Sequence, residues 1–355
     1  MTLSCDIPDD VGQWNETLSR FELDAQDIYF RPEYVSLHAQ AGEGRLYIYE
    51  EAGDFWIYPM LVRPIDRIGR KLLKENWFDI ESPYGYGGPT STTLDPGFLE
   101  RAHEDFDRWC GNEGLVAEFV RFHPVIGNEC CASPKMERVY DRDTFSIDLQ
   151  SMEPGEMSFS PRPRNKIRRA RKLGVRISEC QGEEAFERFR GLYMATMDRK
   201  DADTLYYFGD RYFSGLKELV KERGYLLSAC QDEEWVAAGI FLRGERLLHY
   251  HLSASTRDIY VPGATNLMIY EAAKLGRKAG LISMHLGGGL TGRPDDSLAS
   301  FKKSMSSDKL GFHIGKRVHN RGIYDDLREI WNREFPHLIG VYGGHALFYR
   351  YQNQS

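Results

Sequence analysis

The chain states one order of segments twice. "RLYIYEEAGDFWIYPMLVRPI", residues 45–65, reads as a strand, an acidic turn and a second strand. "YLLSACQDEEWVAAGIFLRGERLLHYHLSAS", residues 225–255, repeats that order, with Trp56 and Trp235 placed alike after the turn. Both runs are rich in Tyr, Ile, Val, Leu and Trp and are broken by Gly, Asp or Glu, the composition of hairpins. A Gly/Pro loop follows in each half, "SPYGYGGPT" and then "YVPGATN". A helix comes next, "PGFLERAHEDFDRWCGNEG" and "NLMIYEAAKLGRKAG". Each ends where a left-handed glycine cap would sit, at Gly111 or Gly114 and at Gly280. A short strand closes each copy, "VAEFVRFHP" and "LISMHLGGG". The pattern predicts an α/β fold with mixed sheets, made by duplicating one unit, and excludes a short-period solenoid.

Length agrees with two domains. The chain has 355 residues, against ~100–200 per domain. Residues 1–150 are expected to form the first and 151–315 the second. Between them "FSIDLQSMEPGEMSFSPRPRNK" passes from a strand through a polar loop with Pro154, Gly155, Pro161 and Pro163. The tail 316–355 holds a helix, "YDDLREIWNREF", and is expected to fold back onto the first domain. No stretch approaches the ~18 apolar residues of a membrane span. "MTLSCDIPDDVGQW" has neither a basic n-region nor an apolar h-region. The six cysteines show no C-x-x-C spacing, so reduced thiols in a cytoplasm are expected.

The formal net charge is -7, which excludes a general nucleic-acid coat and makes any anion site local. One segment stands out against that background. From Arg162 to Arg176 the chain carries Arg162, Arg164, Lys166, Arg168, Arg169, Arg171, Lys172 and Arg176 with no Asp or Glu. A helix is expected over 165–173, stopped by Gly174. Ile167, Ala170 and Leu173 would face inward, and Arg164, Arg168, Arg171 and Lys172 outward. The segment is either a solvated face or a binding face for phosphates. Its narrow apolar side does not suit a membrane, and no DNA-reading motif accompanies it.

Other residue types invite chemistry. His249 and His251 alternate on one strand and point to one face. With His285 they could suggest a metal, but no carboxylate or thiol sits at ligand spacing. No metal is therefore expected, and His251 is assigned to the polar wall of an acceptor cleft. "GGG" at 287–289 lacks the Gly-Lys-Ser/Thr of a phosphate loop. It suits a sharp turn or close backbone approach. Asp295 and Asp296 are candidate caps for the helix of "SLASFKK". Tyr84 and Tyr86, between glycines in "SPYGYGG", are either a plain loop or the first domain's share of a substrate cleft.

"SPYGYGGP", "RNKIRRARKLGV", "MDRKDADTLYYFGDRYF" and "HLGGGLTGRPDDSLASFKKSM" occur in this order over most of the chain. Together they resemble the FemABX family of peptidyltransferases, and "LGGG…DDSL…FKKS", Leu286 to Ser304, is the most specific piece. The resemblance implies two GNAT-like domains, no cofactor and no metal. It also implies transfer of an amino acid from aminoacyl-tRNA to an amine of a peptidoglycan precursor or another peptide-like metabolite. Lys302 matches the lysine of the family's Phe-Lys pair; its ammonium is expected to steady the oxyanion formed when an amine attacks an ester. Lys303 is the neighbouring alternative. Arg199, Tyr206, Tyr207, Tyr250, His251, Asn266, Tyr84 and Tyr86 are the expected substrate-binding residues. Arg164, Lys166, Arg168, Arg171 and Lys172 are expected to meet tRNA phosphates. Two departures concern the acceptor. Members that hold a nucleotide diphosphate use a lysine early in the first domain and an arginine early in the second. Here "RPEYVSLHAQ" has no lysine, and Tyr206 and Tyr207 stand where the arginine would be. The long helical hairpin some members insert is also absent from the sequence. An acyl-CoA donor is the first alternative, weakened because "YVPGATN" has Pro262 and Thr265 where a pyrophosphate loop needs N–H groups and a small residue. A non-catalytic anion-binding module is the second.

Overall fold

Two hairpins with the same turn anchor the two halves. Strands Glu43–Glu51 and Asp54–Pro64 pair antiparallel, with Tyr49 opposite Trp56. Strands Gly224–Gln231 and Glu234–Arg243 do the same, with Gln231 opposite Glu234. Each turn has two residues, both at positive φ: Ala52 and Gly53 at 53° and 90°, Asp232 and Glu233 at 48° and 69°. That left-handed pair matches the twist of the flanking strands. In this computed structural model the described residues are 2–6, 11–39, 42–151, 159–257, 259 and 261–352. Pro154, Gly155 and Tyr260 lie outside them.

The chain forms two compact units. The first holds Met1–Ala25, Tyr29–Asp141 and Phe312–Ser355; the second holds Gln26–Ile28 and Arg142–Gly311. The chain passes from one to the other inside two strands, Glu137–Asp148 and Asp308–Val318.

The strand order is the same in both. In the first unit Thr2–Asp6, Glu43–Glu51, Asp54–Pro64, Phe78–Glu81 and Leu115–Arg121 follow one another across the sheet. In the second the order is Arg176–Cys180, Gly224–Gln231, Glu234–Arg243, Leu247–Ser255 and Ser283–Gly288. The first four strands of each series are antiparallel, and the last two are parallel. A parallel pair requires a crossover. The helices Pro96–Asn112 and Ala264–Lys278 supply it, each followed by a left-handed glycine, Gly114 at 72° and Gly280 at 79°.

The cores follow from this layering. In the second unit Leu267, Met268 and Ala272 of the crossover helix pack with Phe241, Leu248 and Met284 of the sheet. Ile167 and Ala170 of the basic helix, Pro161–Lys172, join the same cluster. In the first unit Trp56 is buried among Tyr47, Tyr58 and Phe106, and its indole N–H donates to the Cys131 carbonyl at 2.8 Å. The tail helix Arg321–Glu334 sets Tyr324, Leu327 and Trp331 against Ile65, Ile68 and Val116.

Candidate functional site

The strand Ser283–Gly288 loses regular register between His285 and Gly287, where Gly287 takes a φ of 75°. The following glycines are required by their neighbours. A Cβ on Gly288 would stand 2.9 Å from the Asp143 carbonyl oxygen, and one on Gly289 would stand 2.6 Å from the Asp296 carboxyl group. Without side chains, the loop fits between that strand neighbour and the start of the helix Ser297–Ser304.

Asp296 caps that helix. Its carboxylate accepts from the Ala299 N–H at 2.9 Å and from the Thr291 N–H and hydroxyl at 2.7 and 3.2 Å. Burial would raise the Asp296 carboxyl; these donors outweigh it and hold it below its ordinary value. Arg142 fixes the loop from the other side, donating to the Gly289 and Leu290 carbonyls at 3.0 and 2.6 Å. One turn into the helix, Lys302 folds back and its ammonium nitrogen donates to the Gly288 carbonyl at 2.8 Å. The side chain is half-buried. Burial lowers its pKa to about 7; the Asp296 carboxylate opposes the shift, and the Lys200 and Arg142 cations add to it. The site therefore holds an amine that changes charge near neutral pH. Lys303, next to it, is exposed.

The other candidate residues divide by what they touch. Arg199, beside Lys200 at the end of the helix Glu183–Arg199, donates to the Ser255 carbonyl at 2.9 Å. Asn266 is buried, and its amide lies 3.1 Å from the Met305 sulfur. It ties the crossover helix to the residue that ends the Lys302 helix. Tyr206 sits in a short turn capped by Asp203, where its carbonyl accepts from the Tyr193 hydroxyl at 2.9 Å. Tyr207 follows it and is exposed. His251 is buried with its Nε2 2.7 Å from the Tyr212 hydroxyl. That contact ties it to the helix Asp210–Arg223. His249 pairs with Asp27, Nε2 to Oδ2 at 2.8 Å, both buried. Tyr250 stacks on Phe241 at 5.3 Å and packs on the core; burial pushes its hydroxyl up to about 12. Tyr84 and Tyr86 belong to the first unit. The Tyr84 carbonyl accepts from the Tyr34 hydroxyl at 2.6 Å, and Tyr86 packs edge-on against Tyr29 and Phe312.

The basic helix differs in detail from its sequence expectation. Ile167 and Ala170 are buried, but Leu173 is 42% exposed, because it is the C-cap and the helix ends at Lys172. Pro163 takes the third inward place. That rotates the outward face. Arg162, Arg168, Arg169 and Lys172 are exposed, whereas Arg164 is half-buried. Arg171 is already engaged, 2.9 Å from the Glu271 carboxylate and over the Tyr270 ring. Lys166 is exposed at its side chain, while its backbone carbonyl abuts Gly263 so closely that no Cβ fits there. Gly263 is the N-cap of the crossover helix.

The sequence singles out Lys302 as a candidate and Asp296 as a candidate cap, and Asp296 does cap the helix. It does not point to Arg142, Lys200, Asp27 or Tyr212, which stand beside these and the other candidates. These come from distant segments and carry no local pattern, so only the fold assembles them.

Residues 159–302 match the acetyltransferase (GNAT) domain family. A comparison with curated proteins finds no match. Among solved structures, FemX superposes with a TM-score of 0.68 at 13% identity, over 90% of this chain and 99% of that one. A conserved protein of unknown function from Bacteroides thetaiotaomicron gives 0.60 at 10% identity, over 89% and 100%. The C-terminal domain assigned to a lysylphosphatidylglycerol synthetase of Agrobacterium fabrum gives 0.53 at 13%, over 93% and 96%. At such identities the likeness is one of fold. Residues 159–302 therefore match a GNAT acetyltransferase domain, and the chain as a whole has a two-unit, GNAT-like fold similar to that of FemX.

Proposed function

We propose that the chain moves an aminoacyl group from aminoacyl-tRNA to an amine, on a peptidoglycan precursor or another peptide-like metabolite, in the cytoplasm. The observation that carries this reading is Lys302, aimed at the glycine loop and held beside two other cations. In the proposed reaction the acceptor nitrogen attacks the ester carbonyl carbon. A C–N bond forms, and the C–O bond to the ribose breaks with its electron pair on oxygen. Neutral Lys302 takes the proton that the attacking amine must lose and returns it to the ribose oxygen. A base with a pKa near the working pH suits that task. Arg142 and the Asp296 cap act as positioning residues for the loop and the helix.

Support for a tRNA donor over acyl-CoA comes from the start of the crossover helix. A pyrophosphate would need backbone N–H groups there, and the Lys166 backbone already lies against Gly263. The exposed cations Arg162, Arg168, Arg169 and Lys172 suit an RNA backbone. The test is a transfer assay with mixed charged tRNAs, acetyl-CoA and cell extract, following product mass. A product heavier by an aminoacyl residue, dependent on charged tRNA, supports the reading; an acetylated product made without tRNA overturns it.

A further inference from the structure

We propose that the first unit carries a second ligand site, a groove that binds a phosphate or diphosphate ester of a small soluble molecule, with Arg317 at its floor. The groove encloses about 980 Å³, within the ~300–1,000 Å³ of pockets that take small ligands. Its charged lining is one-sided. Lys135, Lys316, Arg317, Arg321 and Arg328 stand against the carboxylates of Asp107 and Glu137. This excess of cations sits in a chain whose formal net charge is -7.

Arg317 gives the groove its specificity. Its side chain is only 8% exposed, and Nη2 lies 2.7 Å from Asp107 Oδ1. Its other terminal nitrogen, Nη1, is buried and has no hydrogen-bond partner. A buried guanidinium N–H is costly to leave unpaired, and a phosphate oxygen is the acceptor its planar fork fits best. Asp107 gives Oδ2 to Lys135 at 2.9 Å, and its Oδ1, though 2.7 Å from Nη2, makes no directed hydrogen bond, so the pair is an ion contact that leaves Nη1 unsatisfied. Burial would raise the Asp107 carboxyl; Lys135 and Arg317 outweigh it and keep it ionised.

A second feature points the same way. The helix Arg321–Glu334 begins at the groove, with Asn320 as its cap. Its positive end favours an anion. Arg321 reaches Asp325 only at 3.9 Å, with both side chains mostly in water, so it remains available to a ligand. Gly343 and Gly344 line the groove and leave room for a ligand to approach backbone. A groove of about 980 Å³ suits a small phosphate ester rather than an extended RNA strand.

Calorimetry on the full chain at low salt tests this, with inorganic pyrophosphate and ADP as probes. The expected result is saturable binding of both, with Kd below about 1 mM. Arg317→Lys should weaken binding about tenfold or more, since it keeps the charge and loses the fork. The double variant Lys316→Gln/Arg321→Gln alters groove-rim side chains away from the core and decides the matter if Arg317→Lys fails to fold; it should weaken binding severalfold. Lys302→Ala, in the other unit, should leave binding unchanged, which separates this proposal from the transferase reading. The idea is overturned by no saturation with either probe, by unchanged affinity in the double variant, or by loss of binding in Lys302→Ala. It is also overturned if charged tRNA binds through Lys316 and Arg321 while neither probe does.

Discussion

Lys302 is where the sequence and the fold meet. The Phe-Lys pair made it a candidate, and its sequence expectation was a permanent ammonium. The fold gives it a different character: burial lowers it to about 7, with Lys200 and Arg142 adding to the shift against Asp296. Lys302→Ala should reduce aminoacyl transfer by roughly 10²–10³-fold with folding intact, the ordinary worth of a positioned proton acceptor. Stability should respond in the opposite sense. The folded pKa lies below the unfolded value of about 10.5, so the unfolded chain binds more protons between pH 7 and 10.5 and stability rises with pH there. The penalty is fully present below pH 7. Lys302→Met should therefore be the more stable protein near pH 6, by about 2–4 °C in Tm, and the difference should vanish by about pH 10.5. A melting series across pH checks it; a destabilised variant at pH 6 would contradict the burial argument. None of this was legible from residues 301–303 alone, because Arg142 and Lys200 reach Lys302 only through the fold.

At the scale of elements, the Lys302 helix and the basic helix pose different questions. The Ser297–Ser304 helix has only eight residues and depends on its cap. Asp296→Ala should cost about 1 kcal/mol, measured by denaturant unfolding, and should also loosen the Thr291 loop that the same carboxylate holds. The cap was legible in "DDSL", since an Asp three residues before a free N–H is a local signal. On the basic helix, composition showed that a cationic face exists but not which residues form it. Ile167 and Ala170 were legible as inward positions. Leu173 was misplaced, because the helix starts about one turn before the expected residue 165, at Pro161, and ends one residue sooner than apolar spacing suggests, at Lys172. Arg171 is exposed as expected, but its pairing with Glu271 was not legible, because Glu271 lies on another helix. Replacing Arg168 and Arg169 with Gln should flatten the salt dependence of tRNA binding by about one to two units of slope, at ~0.7–0.9 per phosphate contact. Nitrocellulose filter binding across salt concentrations measures this; an unchanged slope would leave the helix a solvated face.

For the whole molecule, the duplicated strand order and the α/β class were legible because each copy is written in local signals: alternating strands, a two-residue turn, a loop, a helix ending at glycine. The positions where the chain changes unit, after Asp141 and Gly311, were not. They fall inside strands, where a lone glycine such as Gly311 does not distinguish a boundary from strand interior. The short piece Gln26–Ile28 belongs to the second unit through backbone and side-chain contacts such as Glu245 N–H to the Gln26 carbonyl at 3.2 Å, and three residues carry no compositional signal. The central claim is that this fold transfers an aminoacyl group with neutral Lys302 as its base. Its most direct test is the single-turnover rate of transfer from aminoacyl-tRNA between about pH 5.5 and 8.5, in the wild type and in Lys302→Arg. The account predicts a wild-type rate that climbs through about pH 7 to a plateau, and a much slower variant that lacks this inflection. A wild-type rate that falls with pH through that range, or a Lys302→Arg rate equal to wild type, would contradict it.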